Sequence, residues 1–486
     1  SWVDVGLNTS YMFVNVTDGE HIVHVRAIDK VGNIRIDNVT FVVDTVPPSI
    51  VILSPSEYYL GSCNVTVTWS GSDDNLDCYE VRLDNGSWIY AGLNTSYMFI
   101  NLTDGEHTVY VKAVDKAGNV EIVNVTFIVD ATAPTIVIIA PTNYSYLNIT
   151  SIVINWSVID LSGVHYCYVM IDNEFWISVG NNTDYSLMLP DGVHIVHVKV
   201  VDKAGNVAIV CLIFVVDTTP PDLEVVEPNV DAIPVDNINV SWRGSDENFD
   251  HYEVRLDNGS WINVGNATEY RFMNVDDGAH VIYVKAVDKA RNTKVVSYAI
   301  IVDTTPPVLQ ITNPTGAYLN TTNVTICWYV YDLTLDHVEL RIDGGLWINV
   351  GTATNYTTSL FEGEHIVEVY AVDRFGRFAS ATTRFIIDTT PPTLRVEYSI
   401  DGNKVKLKIS ASDSSGIQYY AIRVDNGNWT VINESEYTIT LGSGKHKIVV
   451  RAYDKAGNYA EKTITVEIGA GTVSYTHLTL PTTERV

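Results

Sequence analysis

Short runs of alternating apolar and polar residues fill the chain, and no segment carries a helical stripe. In Val65-Thr66-Val67-Thr68-Trp69 the period of two sets Val65, Val67 and Trp69 on one face and the threonines on the other, which predicts a half-buried strand. A Tyr-rich strand through Tyr79 follows, then Asp84-Asn85-Gly86-Ser87-Trp88, where Asn85-Gly86 predicts a tight turn needing positive φ. Asp104-Gly105-Glu106-His107 precedes a strand over 108–114, and Asp115-Lys116-Ala117-Gly118 predicts a type I turn closed by a left-handed glycine. A strand over 123–129 closes the pattern.

The pattern repeats. A linker appears as Asp44-Thr-Val-Pro-Pro48 and Asp130-Ala-Thr-Ala-Pro134. It recurs as Asp217-Thr-Thr-Pro-Pro221, Asp303-Thr-Thr-Pro-Pro307 and Asp388-Thr-Thr-Pro-Pro392, at spacings of 86, 87, 86 and 85 residues. Between linkers the second strand ends in Trp69, Trp156, Trp242 or Trp328, with Ile409 in the last copy. About seven short strands per copy, separated by turn signals, predict an all-β chain of tandem β-sandwiches. A unit of this size buries only about 60–65% of its unfolded surface, so both tryptophans of each copy are expected to serve the core.

Trp69 in the second strand, Tyr79 in the third and the segment Leu102-Thr-Asp-Gly-Glu-His107-Thr-Val-Tyr-Val-Lys-Ala113 resemble fibronectin type III and bacterial or archaeal Ig-like modules of large surface or adhesin-type proteins. In fibronectin-like modules the last segment carries a tyrosine corner; here His107 holds that position. The resemblance covers residues 1 to about 468. It implies a fold more than a function, since this sandwich hosts many roles.

Ser1 to Tyr11 matches Ser87 to Tyr97 at an offset of 86, so residues 1–44 are expected to be the C-terminal half of a repeat. Complete Ig-like copies are expected over 45–130, 131–217, 218–303, 304–388 and 389–470. Residues 471–486, with Val473-Ser-Tyr-Thr-His-Leu-Thr-Leu-Pro-Thr482, resemble translated sequencing-adapter sequence and are expected to be a non-native tail. On that reading the chain is a metagenomic fragment. Pro-stiffened linkers without Gly/Ser stretches predict an elongated array of roughly 150–200 Å.

Charge narrows the partners. A net charge of −28 argues against nucleic acid and anionic membrane surfaces. No apolar run of about 18 residues exists to span a bilayer. The five cysteines are not shared between copies. Strand parity turns Cys63 and Cys167 inward and Cys78, Cys211 and Cys327 outward, with no pair placed for a bridge.

Catalysis needs a unique nucleophile, base and orienter in one pocket, whereas this chain repeats the same residues at the same offsets. HExxH, Gly-x-Ser-x-Gly and phosphate-loop signatures are absent from the sequence, so neither an enzyme nor a specific small-molecule substrate is expected. His21, His107, His194, His280, His365 and His446 recur at one place and are expected to bond nearby backbone. His21 and His24, or His194 and His197, lie three apart on a strand, on opposite faces, and cannot chelate one ion.

The aspartates carry the one candidate site. The first strand of a copy runs away from its linker and the second returns, so the loop after Trp69 and the turn at Asp115 both lie at the linker end. Three carboxylates are therefore expected to converge in each of five sets: Asp44, Asp73, Asp115; Asp130, Asp160, Asp202; Asp217, Asp246, Asp288; Asp303, Asp332, Asp373; and Asp388, Asp413, Asp454. Their repulsion would be relieved by a hard cation with oxygen ligands, with Ca²⁺ the natural candidate outside the cell. Calcium-dependent adhesin modules, and more distantly cadherins, stiffen their junctions in this way, which is what the resemblance implies. The competing reading is structural: Asp favours turns because it bonds its own backbone. Lys30, Lys116, Lys203, Lys289, Arg374 and Lys455 follow the turn aspartates and could balance them.

About twenty Asn-x-Ser/Thr sites occur, including Asn38, Asn64, Asn124, Asn239, Asn323 and Asn355, against about six by chance. They point to a glycosylated extracellular or cell-surface protein. Two uses follow: a non-catalytic stalk or adhesin array meeting extracellular protein or glycan partners, or an accessory array of a large secreted protease or glycoside hydrolase. Near-constant loops between copies favour a spacer over a specific binder.

Overall fold

A computed structural model describes residues 1–469. It is all-β, built of repeated Ig-like sandwiches. The described residues divide into two compact units, one of residues 1–222, 245–251 and 286–294, the other of residues 223–244, 252–285 and 295–469. The expected adapter-derived tail over 471–486 lies outside the described residues.

In the first unit, Gly19–Ile28 and Ile34–Val43 pair as an antiparallel hairpin. Ser49–Ser54, Val65–Ser72 and Ser96–Phe99 then form one antiparallel sheet. The facing sheet runs in the order Tyr59–Leu60, Val120–Val129, Gly105–Asp115, Leu76–Leu83, Ile89–Gly92, with the first pair parallel. A cis Ser54-Pro55 bond stands where the first strand crosses from one sheet to the other. Thr135–Ala140, Ser151–Ile159 and Asp184–Met188 repeat the smaller sheet in the next copy. Its larger sheet again has five strands, Tyr146–Leu147 lying parallel to Val207–Val216.

In the second unit, Val308–Asn313, Asn323–Tyr331 and Asn355–Ser359 pair in the same way, and Gly363–Asp373 pairs with Phe378–Ile387 in a five-stranded sheet. The last copy departs from the pattern. Its first strand, Thr393–Asp401, continues without crossing, and the facing sheet has four strands.

The alternation read from sequence sets the core: Val65, Val67 and Trp69 are buried and pack with Tyr79, Val81, Val111 and Phe127 between the sheets. Trp69 meets Tyr79 edge-to-face, ring centroids 5.7 Å apart. The second tryptophan corrects an expectation. Trp88 is half-buried and outside the core cluster; it stands just before Ile89–Gly92, on the outer face of the five-stranded sheet. There Arg82 and Lys112 cover its ring at 4.8 and 4.6 Å. Trp176, Trp261, Trp347 and Trp429 carry the same cationic cover.

Two further expectations are corrected. The positive φ of the Asp-Asn-Gly turn falls on Asp84 (51°) and not on Asn85 or Gly86. Asp84 thereby aims its carboxylate at the next strand. Cys63 lies before Val65–Ser72, where strand parity does not yet apply, and is half-buried outside the core. Cys78 keeps its outward parity yet is buried, on the face that carries the Glu80–Lys112 ion pair. Cys167 is in the core, Cys211 is exposed, Cys327 is half-buried, and all five are free thiols.

Candidate metal centres

Each set of three aspartates is assembled by strand ends. Asp44 directly follows Ile34–Val43, Asp73 directly follows Val65–Ser72, and Asp115 is the last residue of Gly105–Asp115. The second strand of a copy ends where the linker arrives, and the sixth ends there too, so the pairing brings the three together. All five sets named from sequence do so, each residue offering a carboxylate oxygen within 4.8 Å of the others. The turn aspartates Asp115, Asp202, Asp288, Asp373 and Asp454 are buried in every copy.

Local hydrogen bonds hold each carboxylate. Asp115 Oδ1 accepts the Ala117 and Asn119 amides, both at 2.8 Å, which is the turn geometry of a short acidic side chain bonding its own backbone. Asp73 Oδ1 accepts the Asn75 amide at 2.6 Å, and Asp246, Asp332 and Asp413 do likewise with Asn248, Thr334 and Ser415. The linker aspartate receives a bond from the same residue two past the middle aspartate: Asn75 Nδ2 reaches Asp44 Oδ2 and Asn248 Nδ2 reaches Asp217 Oδ2, each at 2.8 Å. Ser162 donates its amide to Asp130 Oδ2 at 3.0 Å, and the Thr334 hydroxyl bonds Asp303 Oδ2. That position is always Asn, Ser or Thr, so each set has a fourth oxygen-bearing side chain beside it.

Burial and then the charges of the neighbouring aspartates raise Asp160 and Asp246 above the ordinary carboxylate value. Burial also opposes the charge on Asp115 and Asp130, but bonds from Asn119 and from Ser162 and Thr132 hold both below it. Asp115 and Asp130 are thus favoured in the ionised form, while Asp160 and Asp246 are crowded by like charge. An oxygen-only donor set of this kind suits a hard divalent cation such as Ca²⁺, which takes carboxylates, amide oxygens and hydroxyls at 2.3–2.6 Å.

Two ties at the junction went unread in the sequence. Asn119 Nδ2 donates to the main-chain oxygen of Asp44 at 2.9 Å, and Asn206, Asn292 and Asn458 each reach the corresponding linker oxygen at 2.7 Å. The acidic residue before the corner glycine clasps the residue after the linker aspartate: Asp104 accepts the Ala131 amide at 2.9 Å, Asp191 the Thr218 amide at 3.1 Å, and Asp277 the Thr304 amide at 2.8 Å. Their recurrence in most copies was the available signal. Lys203, Lys289 and Lys455 lie over the rings of Tyr59, Tyr146 and Tyr318 at 5.2–5.5 Å.

The recurrent histidine does bond nearby backbone. His107 Nε2 pairs with the Thr103 carbonyl at 2.8 Å, and Nδ1 pairs with Asp84 at 2.9 Å. Both ring nitrogens are engaged within the corner, which leaves no free lone pair for a metal.

Residues 390–469 match the bacterial Ig-like domain. Over 345 residues the chain is 24% identical to a Kelch domain-containing protein of Sulfurisphaera tokodaii, covering 67% of this chain. It spans 46% of that relative's length. Among solved structures, the fibronectin(III)-like modules of Clostridium thermocellum CbhA align at 21% identity and TM-score 0.29, covering 35% of this chain and all of theirs. A tetra-tandem repeat from the extending region of a large adhesion protein aligns at 20% identity and TM-score 0.28, covering 71% of this chain and all of its own. No helix among the described residues is long and apolar enough to cross a membrane.

Proposed function

We propose that this Ig-like chain is a non-catalytic spacer or adhesin-type repeat array of an extracellular or cell-surface protein, with junctions stiffened by calcium. The observation that supports this reading is that one junction design recurs five times: a carboxylate triad, with side-chain ties between the linker and the turn in most copies. A binding array would vary its loops between copies; a spacer conserves the joint. A cation shared by the linker aspartate of one copy and two loops of the next would remove hinge freedom. Exposed sequon residues Asn38, Asn64, Asn124, Asn239, Asn323 and Asn355 would carry glycans on the strand surfaces, and extracellular proteins or glycans are the expected partners.

Small-angle X-ray scattering of the full chain tests the mechanical reading. Calcium should lengthen the maximum dimension relative to chelator; superimposable curves would overturn stiffening.

A further inference from the structure

Neighbouring copies also touch away from the carboxylates. The short strand Tyr59–Leu60 lies at the edge of one copy's larger sheet, and the turn that starts at Asp202 belongs to the copy after it. Lys203 Nζ lies 5.2 Å from the centre of the Tyr59 ring. Lys289 stands in the same way over Tyr146 at 5.4 Å, and Lys455 over Tyr318 at 5.5 Å. Each lysine follows the turn aspartate of one copy, and each ring belongs to the copy before it. An ammonium at that range is drawn to the face of the ring. Beside the first pair the backbones also close up: a β-carbon at Gly61 would fall 2.5 Å from the Ala204 carbonyl oxygen.

At the junction of Asp303 both partners have changed. Ala232 stands where Tyr59, Tyr146 and Tyr318 stand, each pairing in parallel with the next-to-last residue of its copy's final strand. The ring is lost there. Arg374 replaces the lysine, and its Nη1 bonds Oδ2 of Asp231, the neighbour of Ala232, at 2.9 Å. Asp231 gives its carbonyl oxygen to the final strand as Tyr58, Ser145 and Ala317 do in their copies, so none of those copies carries an acid at this position. Asp231 and Arg374 are 143 residues apart, and both side chains are more than half exposed, so core packing places neither. The contact is kept although the chemistry on both sides of it has been replaced.

We propose that the end of each copy at this short strand is a docking surface whose partner is the turn of the next copy, held by a matched pair: tyrosine with lysine, or aspartate with arginine. No ion takes part, so the surface acts independently of the carboxylate triads.

Hydrogen exchange of the full chain in excess chelator, read by mass spectrometry, tests this without calcium. Asp231→Lys sets a like charge against Arg374 and should speed exchange of the turn 373–377 by about two- to fivefold, the range set by an exposed ion pair. Asp231→Lys combined with Arg374→Glu should restore the original rate. An unchanged rate in Asp231→Lys, or no restoration in the double variant, would overturn the proposal. Tyr59→Leu should speed exchange of 202–206 in the next copy and leave 105–115 in its own copy unaltered. Faster exchange over 105–115 would show the ring serving its own copy, and would also overturn the docking role. Calcium is absent throughout, so failure here leaves the calcium reading standing.

Discussion

Asn119 joins the linker to the turn that follows it 75 residues later: its Nδ2 donates to the main-chain oxygen of Asp44 at 2.9 Å and to Asp115 Oδ2 at 2.7 Å. The same amide thus orients a triad carboxylate and fixes the linker. Asn206→Ala removes both bonds at the next junction, where the distances are 2.7 and 2.8 Å. Losing two such bonds, one to a carboxylate, should cost about 2 kcal/mol. Denaturant unfolding with and without the substitution measures it, and an unchanged midpoint would remove Asn206 from the account.

The histidine corner predicts a pH dependence. Burial works against charge on His107, His280 and His365, but bonds to Asp84, Asp257 and Asp343 and to corner carbonyls leave each above the ordinary value of 6.5. A histidine raised in the folded state adds stability that is complete below 6.5 and lost as pH rises through the raised value. Asp257, Asp343 and Asp425 are lowered, so their share is present above the ordinary carboxylate value and lost as acid passes the depressed one. Melting temperature should therefore decline as pH rises from 6.5 toward 8, and substituting Gln at His107, His280 and His365 together should flatten that decline.

The two tryptophans of a copy should behave differently. Trp69 is 2% exposed between the sheets, so Trp69→Ala should cost about 3–5 kcal/mol. Trp88 lies under Arg82 and Lys112 on the outer face, so Trp88→Ala should cost about 1 kcal/mol. Equal losses in calorimetry would contradict the division into core and clamp.

Chain topology explains what the sequence revealed. The five aspartate sets were legible because strand direction alone fixes which loops meet the linker. The Asn119 ties were not, since they reach across the junction through a side chain whose direction no periodicity encodes. Trp88 was misread because composition marks an aromatic as core, while Arg82 and Lys112 cover it on the outer face of the sheet. Asp84 took the left-handed backbone position expected of its neighbours because its carboxylate bonds His107 and the Thr108 amide. Cys78 is buried despite its outward parity.

Glycosylation has its own check. Expressed in an N-glycosylating host, the protein should carry glycan at exposed Asn124 and Asn239, read as a mass shift reversed by enzymatic removal. Unmodified peptides at both positions would argue against it.

The central claim is that calcium holds the junctions. An ion at about a hundredfold over its dissociation constant adds about 2.7 kcal/mol to a folded unit that alone binds it, equivalent to a rise on the order of 10 °C for a domain of this size. Differential scanning calorimetry of the full chain in calcium and in excess chelator measures this directly. The account predicts a higher melting temperature in calcium; identical thermograms would contradict it.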